Sequence, residues 1–345
     1  MKALILHGPG EAFKLEQYPD PVADQGEAVV KVITCGAALT IQHVKAGRTP
    51  VEYPKIIGHE ITGEVVEVGS GVTSLKVGDA VTAYFYLTCG TCKWCRQNRE
   101  TLCENFKGYV GRAVHGGYAE YIKLPAETFL KLPSNLDYKN FPGEVGVITD
   151  AIATPVKVIK KARIMPTDTV AVFGAGGGLG IHMLMLTRWA HAKVIAVETK
   201  PEKFEACKNA GAEEVIDGNG NDLAENLIEI SNGGIDVGID FVSSEQTLEI
   251  ACNALGKGGR LVTLGGSGMP FQANPKAMLE KELELIGSRY ATKQEVTEAL
   301  ELVARGDIWP LVTDIRRMEE AEELHESLEK GDIIGRAAIR VVNEK

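Results

Sequence analysis

Four cysteines close together in the chain have the spacing of a metal-binding site, C-x2-C-x2-C-x7-C. They are Cys89, Cys92, Cys95 and Cys103. Four thiolates at about 2.3 Å complete a tetrahedron around one zinc ion and leave no open position for a substrate. Disulfides are the alternative, but only Cys35, Cys207 and Cys252 lie elsewhere, whereas a secreted disulfide framework spreads its cysteines over a short chain. We therefore predict a structural zinc that holds a lobe, residues 89–103, together.

A glycine-rich segment between an apolar run and a helical pattern has the chemistry of a nucleotide-binding turn. Residues 170–173 read as a buried strand and are followed by GAGGGLG. Because glycine lacks a β-carbon, this backbone can pass close to a pyrophosphate, and free N–H groups at the helix start would face its charge. Glycine turns are common, but strand, turn and helix coincide here. The predicted dinucleotide-binding residues are Gly174, Gly176, Gly177, Gly178, Leu179 and Gly180, of which Gly174, Gly177 and Gly180 have a three-residue spacing.

An acidic residue at the end of the next predicted strand bears on which dinucleotide binds. Glu198 follows Gly174 by 24 residues. A carboxylate there accepts hydrogen bonds from ribose hydroxyls and repels a 2′-phosphate, which favours NAD over NADP. A solvated acid at a strand end is the alternative. Lys200 and Lys203 lie close behind and would weaken the preference, and Lys203 is included among the predicted cofactor-binding residues.

The bulk composition is that of a globular enzyme. The chain has 345 residues, enough for two domains with separate cores, and is 44% hydrophobic and 24% charged. A net charge of −10 without a basic stripe argues against a nucleic-acid partner. No apolar stretch reaches the roughly 18 residues of a membrane span, and Met1–Gly10 lacks a signal-peptide pattern. Reduced, metal-bound cysteines fit the cytoplasm, so we expect a cytoplasmic protein without membrane segments.

The predicted pattern of secondary structure changes between about residue 142 and about residue 168. Up to about residue 142, short strands alternate with glycine and proline turns, which predicts a largely antiparallel barrel. From about residue 168, strands alternate with helices, which predicts a parallel, doubly wound sheet. The chain then returns to the first domain. The predicted domains are residues 1–150 with 290–345, and residues 151–289.

Together with the cysteines and the glycine turn, Gly58-His59-Glu60 resembles the zinc-containing alcohol dehydrogenases of the medium-chain dehydrogenase/reductase superfamily, and the resemblance extends from Met1 to about Arg340. It implies an α/β protein with a GroES-like β-barrel catalytic domain and a Rossmann coenzyme domain. It also implies an NAD(H)-dependent oxidoreductase that forms a homodimer or homotetramer through the nucleotide domain.

The resemblance also implies a second zinc that polarises the substrate oxygen, with one expected ligand missing. His59 matches the imidazole ligand, Glu60 the neighbouring carboxylate, and Glu144 falls where we expect the third ligand. The family pattern Cys-Gly-x-Cys-x-Thr, however, reads here with Ala38 at the ligating cysteine, and shifting Cys35 into its place would displace the threonine. Losing a soft thiolate removes much of a site's metal selectivity. One histidine with two carboxylates remains a workable set, so a second metal site stays open.

The resemblance assigns proton transfer to two further residues. Thr40 matches the hydroxyl that touches the substrate oxygen, and His43 matches the outer histidine of the relay. A helix-cap threonine and a surface histidine are the alternatives. Arg336 resembles the arginine that meets the cofactor pyrophosphate. Asp150, in a segment similar to members acting on cyclic alcohols, either caps a helix or faces the pocket. The predicted catalytic residues are Thr40, His43, His59 and Glu60.

Three functions remain in view at this stage. The leading hypothesis is an NAD(H)-dependent alcohol dehydrogenase or carbonyl reductase acting on a small or medium, even cyclic, substrate. The second keeps the cofactor but reduces a C=C bond conjugated to a carbonyl, which needs no zinc at the active site, and Ala38 motivates it. The third is a nucleotide-sensing protein without catalysis.

Overall fold

The computed structural model describes residues 1–265 and 268–342, and the chain divides into two compact units. Unit 1 comprises Met1–Ala153 and the chain from Ala291 onward, and unit 2 comprises Thr154–Tyr290. In the described ranges, no helix has both the length and the apolar character needed to cross a membrane.

The bounds of the regular elements are as follows. The strands are β1 Lys2–Ile5, β2 Lys14–Gln17, β3 Glu27–Ala37, β4 Glu60–Val68, β5 Ala80–Ala83, β6 Tyr86–Leu87, β7 Gly108–Tyr109, β8 Tyr121–Pro125, β9 Phe129–Lys131, β10 Thr169–Phe173, β11 Lys193–Glu198, β12 Glu214–Asp217, β13 Ile235–Asp240, β14 Leu255–Thr263, β15 Glu284–Gly287, β16 Val312–Arg317 and β17 Arg336–Arg340. The helices are α1 Leu39–Lys45, α2 Pro142–Gly146, α3 Ala153–Ala162, α4 Gly180–Trp189, α5 Phe204–Asn209, α6 Leu223–Ile230, α7 Glu245–Ala254, α8 Pro275–Lys281, α9 Lys293–Ala304 and α10 Ala321–Lys330.

Unit 1 is built on a largely antiparallel sheet, as the sequence predicts. Its strand order is β16-β17-β3-β4-β5-β9, with β8 paired to β3 as well. Only β16 and β17 run parallel. The long strand β3 is rich in β-branched residues, and its buried side chains, such as Val30 and Val32, pack with Ile61 and Val65 of β4 in the interior. In the register of β3 and β4, Gly36 is opposite Glu60. That pairing brings the end of β3 and the start of α1 beside the Gly58-His59-Glu60 motif.

Unit 2 is a six-stranded parallel sheet in the order β12-β11-β10-β13-β14-β15. This is the doubly wound order, in which the direction of winding reverses between β10 and β13. The central strand β10 is buried almost throughout, because helices cover both faces of such sheets. Phe173 and Ile195 pack there with Leu227, Leu248 and Leu261. The glycine turn follows β10, so it lies at the carboxyl edge of the sheet where ligands bind in this fold.

Candidate functional site

The four cysteines of the 89–103 lobe converge on one point. Their sulfur atoms all lie within 4.8 Å of one another. The Sγ atoms of Cys92 and Cys95 are 3.5 Å apart, as are those of Cys89 and Cys103. These distances are far too long for disulfide bonds of about 2.05 Å. They are close to the edge of roughly 3.8 Å that a tetrahedron with zinc–sulfur bonds of about 2.3 Å would have.

The backbone of the lobe favours thiolates. The N–H of Cys92 donates to Cys89 Sγ at 3.4 Å, and the N–H of Cys89 donates to Cys103 Sγ at 3.3 Å. Hydrogen bonds from the N–H groups of Thr91 and Cys92 lower the pKa of Cys89 to about 5. Burial and the neighbouring sulfurs raise the pKa of Cys95 to about 12, which a bound dication would reverse. The donor set therefore fits a closed, structural zinc.

A second group of metal-ligand type contains His59, Glu60 and Asp150. One ligand atom of each lies within 4.8 Å of the others, and all three residues are buried. Asp150 occupies a short π-helical turn, Ile148–Ile152, directly after α2. This turn is what aims its carboxylate at His59 and Glu60. Asp150 therefore faces the site, which is one of the two alternatives that its sequence leaves open.

The structure groups Asp150, and not Glu144, with His59 and Glu60. Glu144 lies on α2, is only half-buried, and is not a member of the His59 group among the residues described. Asp150, six residues further on, stands in its place. Cys35 is also outside the group. It is fully buried, and burial, with the negative charge of Glu60 as a lesser cause, raises the pKa of its thiol. Cys35 is thus held as a neutral thiol.

Arg336 lies against the two carboxylates of this group. Its Nη2 donates to Asp150 Oδ2 at 2.5 Å, and its Nη1 lies 3.1 Å from Glu60 Oε1. The guanidinium is almost fully buried. Arg336, which the sequence predicts to contact the cofactor pyrophosphate, therefore already contacts two carboxylates of unit 1.

The Glu60 carboxylate is fully buried, yet it has few favourable contacts to offset its loss of hydration. Neither of its oxygens accepts a hydrogen bond of good geometry from the described residues, despite the proximity of Arg336. Burial raises the pKa of Glu60 to about 8, Arg336 opposes the rise, and Asp150 adds to it. Burial likewise lowers the pKa of His59 to about 3. A neutral imidazole beside two carboxylates, one of them short of donors, is a donor set that fits a divalent cation.

The backbone of β3 opposite Glu60 leaves room for the glutamate side chain because it has a glycine there. A β-carbon on Gly36 would lie 2.3 Å from Glu60 Oε2, so only glycine fits at that position of β3. Two residues beyond Gly36, Ala38 is buried and offers only a methyl group. The soft ligand is therefore absent where β3 passes into α1.

Thr40 and His43 lie on α1, three residues apart, so they share one face of the helix. Thr40 is exposed and His43 is half-buried. Arg48 donates from Nε to His43 Nδ1 at 2.7 Å. Burial lowers the pKa of His43, the positive charge of Arg48 lowers it further, and Glu329 opposes both.

The Arg48 side chain is itself fixed by α10. Its Nη1 and Nη2 donate to the two carboxylate oxygens of Glu329 at 2.8 and 2.6 Å. Gln42 Nε2 adds a third hydrogen bond to Glu329 at 2.8 Å, and these contacts lower the pKa of Glu329 to about 2. Neither Arg48 nor Glu329 is predicted from the sequence. No local signal links them, because they are 281 residues apart in the chain.

In unit 2, the glycine turn adopts the tight path that its sequence predicts. Gly174 has φ +72°, which favours glycine, and a β-carbon on Gly180 would lie 2.1 Å from the carbonyl oxygen of Gly174. Leu179 immediately precedes α4, and Gly177 N–H donates to the Gly174 carbonyl at 3.2 Å. Side chains at these glycines would fill the space around the turn. Because they are absent, the backbone N–H groups remain accessible to a pyrophosphate.

The predicted ribose carboxylate adjoins this turn. Glu198 Oε2 accepts from Gly176 N–H at 2.7 Å, and its Oε1 accepts from the N–H groups of Thr199 and Lys200 at 2.8 and 3.0 Å. Lys203 also borders the turn, since a β-carbon on Gly176 would lie 2.8 Å from Lys203 Cβ. The Gly178 carbonyl accepts a hydrogen bond from Nδ1 of His182 at 2.7 Å. The structure thus brings the predicted glycine, glutamate and lysine residues together.

Comparison with known proteins gives a consistent result. Residues 24–134 match the family model of the alcohol dehydrogenase GroES-like domain, and residues 178–305 match that of the zinc-binding dehydrogenase. The chain is 35% identical to an alcohol dehydrogenase of Geobacillus stearothermophilus over 99% of both chains. It is 32% identical to an NAD-dependent alcohol dehydrogenase of Sulfolobus acidocaldarius, covering 99% of this chain and 100% of that protein. An acryloyl-coenzyme A reductase of Metallosphaera sedula is 29% identical, with 98% and 99% covered.

Solved structures agree. A crystal structure of AibC superposes with a TM-score of 0.91 at 33% identity, covering 99% of this chain and 96% of that chain. The alcohol dehydrogenase of Aeropyrum pernix gives a TM-score of 0.90 at 29% identity, covering 99% and 100%.

An antiparallel unit with a cysteine lobe, joined in one chain to a dinucleotide-type parallel sheet, defines a two-domain oxidoreductase class. The chain belongs to the zinc-containing alcohol dehydrogenase family of the medium-chain dehydrogenase/reductase superfamily. The predicted family, the GroES-like plus Rossmann fold and the oxidoreductase class are confirmed.

Proposed function

We propose that this protein is an NAD(H)-dependent alcohol dehydrogenase or carbonyl reductase for a small or medium, including cyclic, alcohol or ketone. The observation that carries the proposal is the buried group of His59, Glu60 and Asp150 in the same unit as the Thr40–His43 pair. Residues 1–150 with 290–345 would form the catalytic domain, and residues 151–289 the coenzyme domain.

The coenzyme would be held by the glycine turn in unit 2, with Glu198 on the ribose. Bound there, a nicotinamide supplies or accepts the hydride. Oε1 of Glu198 already accepts from Thr199 and Lys200, but Oε2 has a lone pair beyond its contact with the Gly176 N–H. Oε2 can therefore accept a ribose hydroxyl, and the carboxylate would repel a 2′-phosphate.

Proton transfer would fall to α1. The exposed Thr40 hydroxyl would hold the substrate oxygen through a hydrogen bond, and His43 would exchange the proton with solvent. Because its pKa is lowered, His43 would remain a neutral base at physiological pH.

His59, Glu60 and Asp150 would hold a second metal ion, which when bound supplies a Lewis acid for a substrate oxygen. Without a thiolate at position 38 the set contains one nitrogen and two carboxylates, so it would bind zinc less selectively than the cysteine lobe.

A second candidate function is reduction of a C=C bond conjugated to a carbonyl, such as that of an enal, enone or enoyl thioester. Conjugation delocalises the developing charge, so this reaction does not require a Lewis acid. Two observations favour it: Ala38 at the ligand position, and the full-length similarity to an acryloyl-coenzyme A reductase.

Two measurements on the purified protein distinguish these functions. Elemental analysis of about two zinc ions per chain, with NAD-dependent turnover of alcohols, would support the alcohol dehydrogenase. About one zinc per chain, with turnover only of enones or enoyl thioesters, would support the second candidate. Tight NADH binding without turnover on either panel would contradict both.

We also propose a homodimer or homotetramer in the cytoplasm, assembled through unit 2. The edge strand β15 of the parallel sheet exposes Leu285 by 40% and has an unpaired edge among the described strands. Light scattering that gave the mass of a single chain would contradict the assembly.

A further inference from the structure

Unit 1 contains a cavity of about 680 Å³ whose lining includes none of the residues discussed for catalysis. Its lining includes four parts of the chain: the N-terminal segment at Tyr18, Ile56 just before the Gly58-His59-Glu60 motif, strand β8, and Leu87 just before the cysteine lobe. Its volume is that of a site for an organic small molecule, since such pockets span roughly 300–1,000 Å³.

Lys55 lines this cavity and is unusual for a buried lysine. The residue is only 7% exposed, yet no hydrogen bond or ion pair joins its ammonium group to any residue in the described ranges. Its backbone is fixed by two hydrogen bonds of 2.9 Å with Leu6. Its Nζ is not one of the inaccessible polar atoms that lack a partner among the described residues, so the stem is buried while the ammonium opens onto the cavity. The ammonium is therefore positioned to pair with an anion bound in the cavity.

The Tyr18 hydroxyl is a second hydrogen-bond donor available to an anion in this cavity. The Ile56 N–H donates to His115 Nδ1 at 3.2 Å, so this nitrogen carries the lone pair and Nε2 carries the proton of the neutral ring. Nε2 lies 3.0 Å from the Tyr18 hydroxyl and must donate to it. Burial, together with the positive charge of Lys55, lowers the pKa of His115 and keeps this ring neutral. The hydrogen of the Tyr18 hydroxyl is thus left for another acceptor, and both Tyr18 and His115 line the cavity.

The charges around the cavity favour a negative ligand. Its basic groups are the N-terminus, Lys55, Lys107, Lys123 and Lys293, and its acidic groups are Asp20, Glu27 and Glu127. The N-terminus pairs with Asp20, and Lys123 pairs with Glu27 at 3.1 Å. That leaves three lysines against one acid on a protein whose net charge is −10. Such a local excess attracts anions.

We infer that this cavity is a binding site for an organic monoanion, a carboxylate carried on an apolar body. The carboxylate would pair with the Lys55 ammonium and accept from the Tyr18 hydroxyl. The apolar body would lie against Ile56, Leu87 and Leu124. The inference does not depend on the proposed function, since the site shares no residue with the His59 group or with the Thr40–His43 pair.

Isothermal titration calorimetry with decanoate tests this site, with neutral decanamide as the matched ligand. We expect decanoate to bind one per chain, and decanamide to bind at least tenfold more weakly. Lys55→Met should weaken decanoate binding about tenfold or more, and Tyr18→Phe about threefold to tenfold, because one charge-assisted and one ordinary hydrogen bond are lost.

Two control variants separate this site from others. Lys139→Met, an exposed lysine outside the cavity lining, should leave the affinity unchanged, and so should His59→Asn, which removes the imidazole of the candidate metal group. Equal decanoate affinity in Lys55→Met and the unchanged protein would overturn the inference, as would loss of binding in His59→Asn or no binding at millimolar decanoate. Lys55→Met should melt close to the temperature of the unchanged protein, because the ammonium opens onto the cavity and methionine replaces the buried stem with a similar volume. A clearly lower melting temperature would contradict the unpaired state of Lys55.

Discussion

Arg48 donates a hydrogen bond of 2.7 Å from Nε to Nδ1 of His43, while its two terminal nitrogens hold Glu329. A donor on Nδ1 fixes His43 as the tautomer protonated on Nε2. The same guanidinium places a positive charge beside the ring. Arg48 therefore determines both which nitrogen of His43 can donate and how readily the ring becomes charged.

Replacing Arg48 should move the pH dependence of turnover. His43 must be neutral to accept a proton during alcohol oxidation, and Arg48 lowers its pKa whereas Glu329 raises it. In Arg48→Met the pKa of His43 rises, so the acidic limb of the kcat–pH profile should shift to higher pH by about one unit. Arg48→Lys keeps the charge and should shift it less. Arg305→Met, which removes an exposed arginine paired with Asp307, is the control, and superimposable profiles for Arg48→Met would contradict the assignment.

Restoring a thiol at position 38 should complete a second metal site. Ala38→Cys supplies a soft ligand at the end of β3, close to the Gly36–Glu60 pairing. After dialysis against a zinc chelator, Ala38→Cys should retain about two zinc ions per chain, whereas the unchanged protein, whose second ligand set lacks a thiolate, should retain about one. Ala37→Cys is a matched control, because Ala37 is likewise buried and adjacent but does not occupy the motif position. If Ala38→Cys loses its second zinc as readily as the unchanged protein, the introduced thiol does not join His59, Glu60 and Asp150 as a ligand.

Removing one thiol from the lobe should release the structural zinc. In Cys95→Ser we expect one zinc fewer per chain and proteolytic cleavage within residues 89–103. Loss of about 3 kcal/mol in a unit of this size lowers the melting temperature by roughly 6–12 °C. Cys252→Ala changes a buried cysteine on α7 outside the lobe and should keep all of its zinc. A Cys95→Ser protein with full zinc content would show that the four sulfurs do not hold the ion.

The choice between NAD and NADP should depend on the charge of Glu198. Glu198→Gln keeps an acceptor for the Gly176 N–H, so the turn should stay folded, but it removes the repulsion of a 2′-phosphate. The ratio of kcat/KM for NAD over NADP should fall about tenfold or more. Glu213→Gln, an exposed acid before β12, should leave the ratio unchanged. If Glu198→Gln keeps the original ratio, specificity is set elsewhere.

Much of this architecture follows from short-range patterns. The cysteine lobe, the glycine turn and Glu198 were predictable because each depends on residue type and spacing within one or two neighbouring elements. The third member of the His59 group was not. Choosing Asp150 over Glu144 required knowing that Ile148–Ile152 forms a π-helical turn after α2. Arg48 with Glu329, and Lys55 with Tyr18, depend on tertiary contacts that no local pattern records.

The close approach of Gly36 to Glu60 links two positions that are far apart in sequence. A β-carbon at position 36 would lie 2.3 Å from Oε2 and 2.8 Å from the β-carbon of Glu60, so only glycine at position 60 would relieve the overlap. We therefore expect mutagenesis libraries of this chain to recover replacements at 36 only alongside glycine at 60. The absence of a β-carbon at position 36 of β3 therefore makes room for the acidic side chain at position 60 of β4.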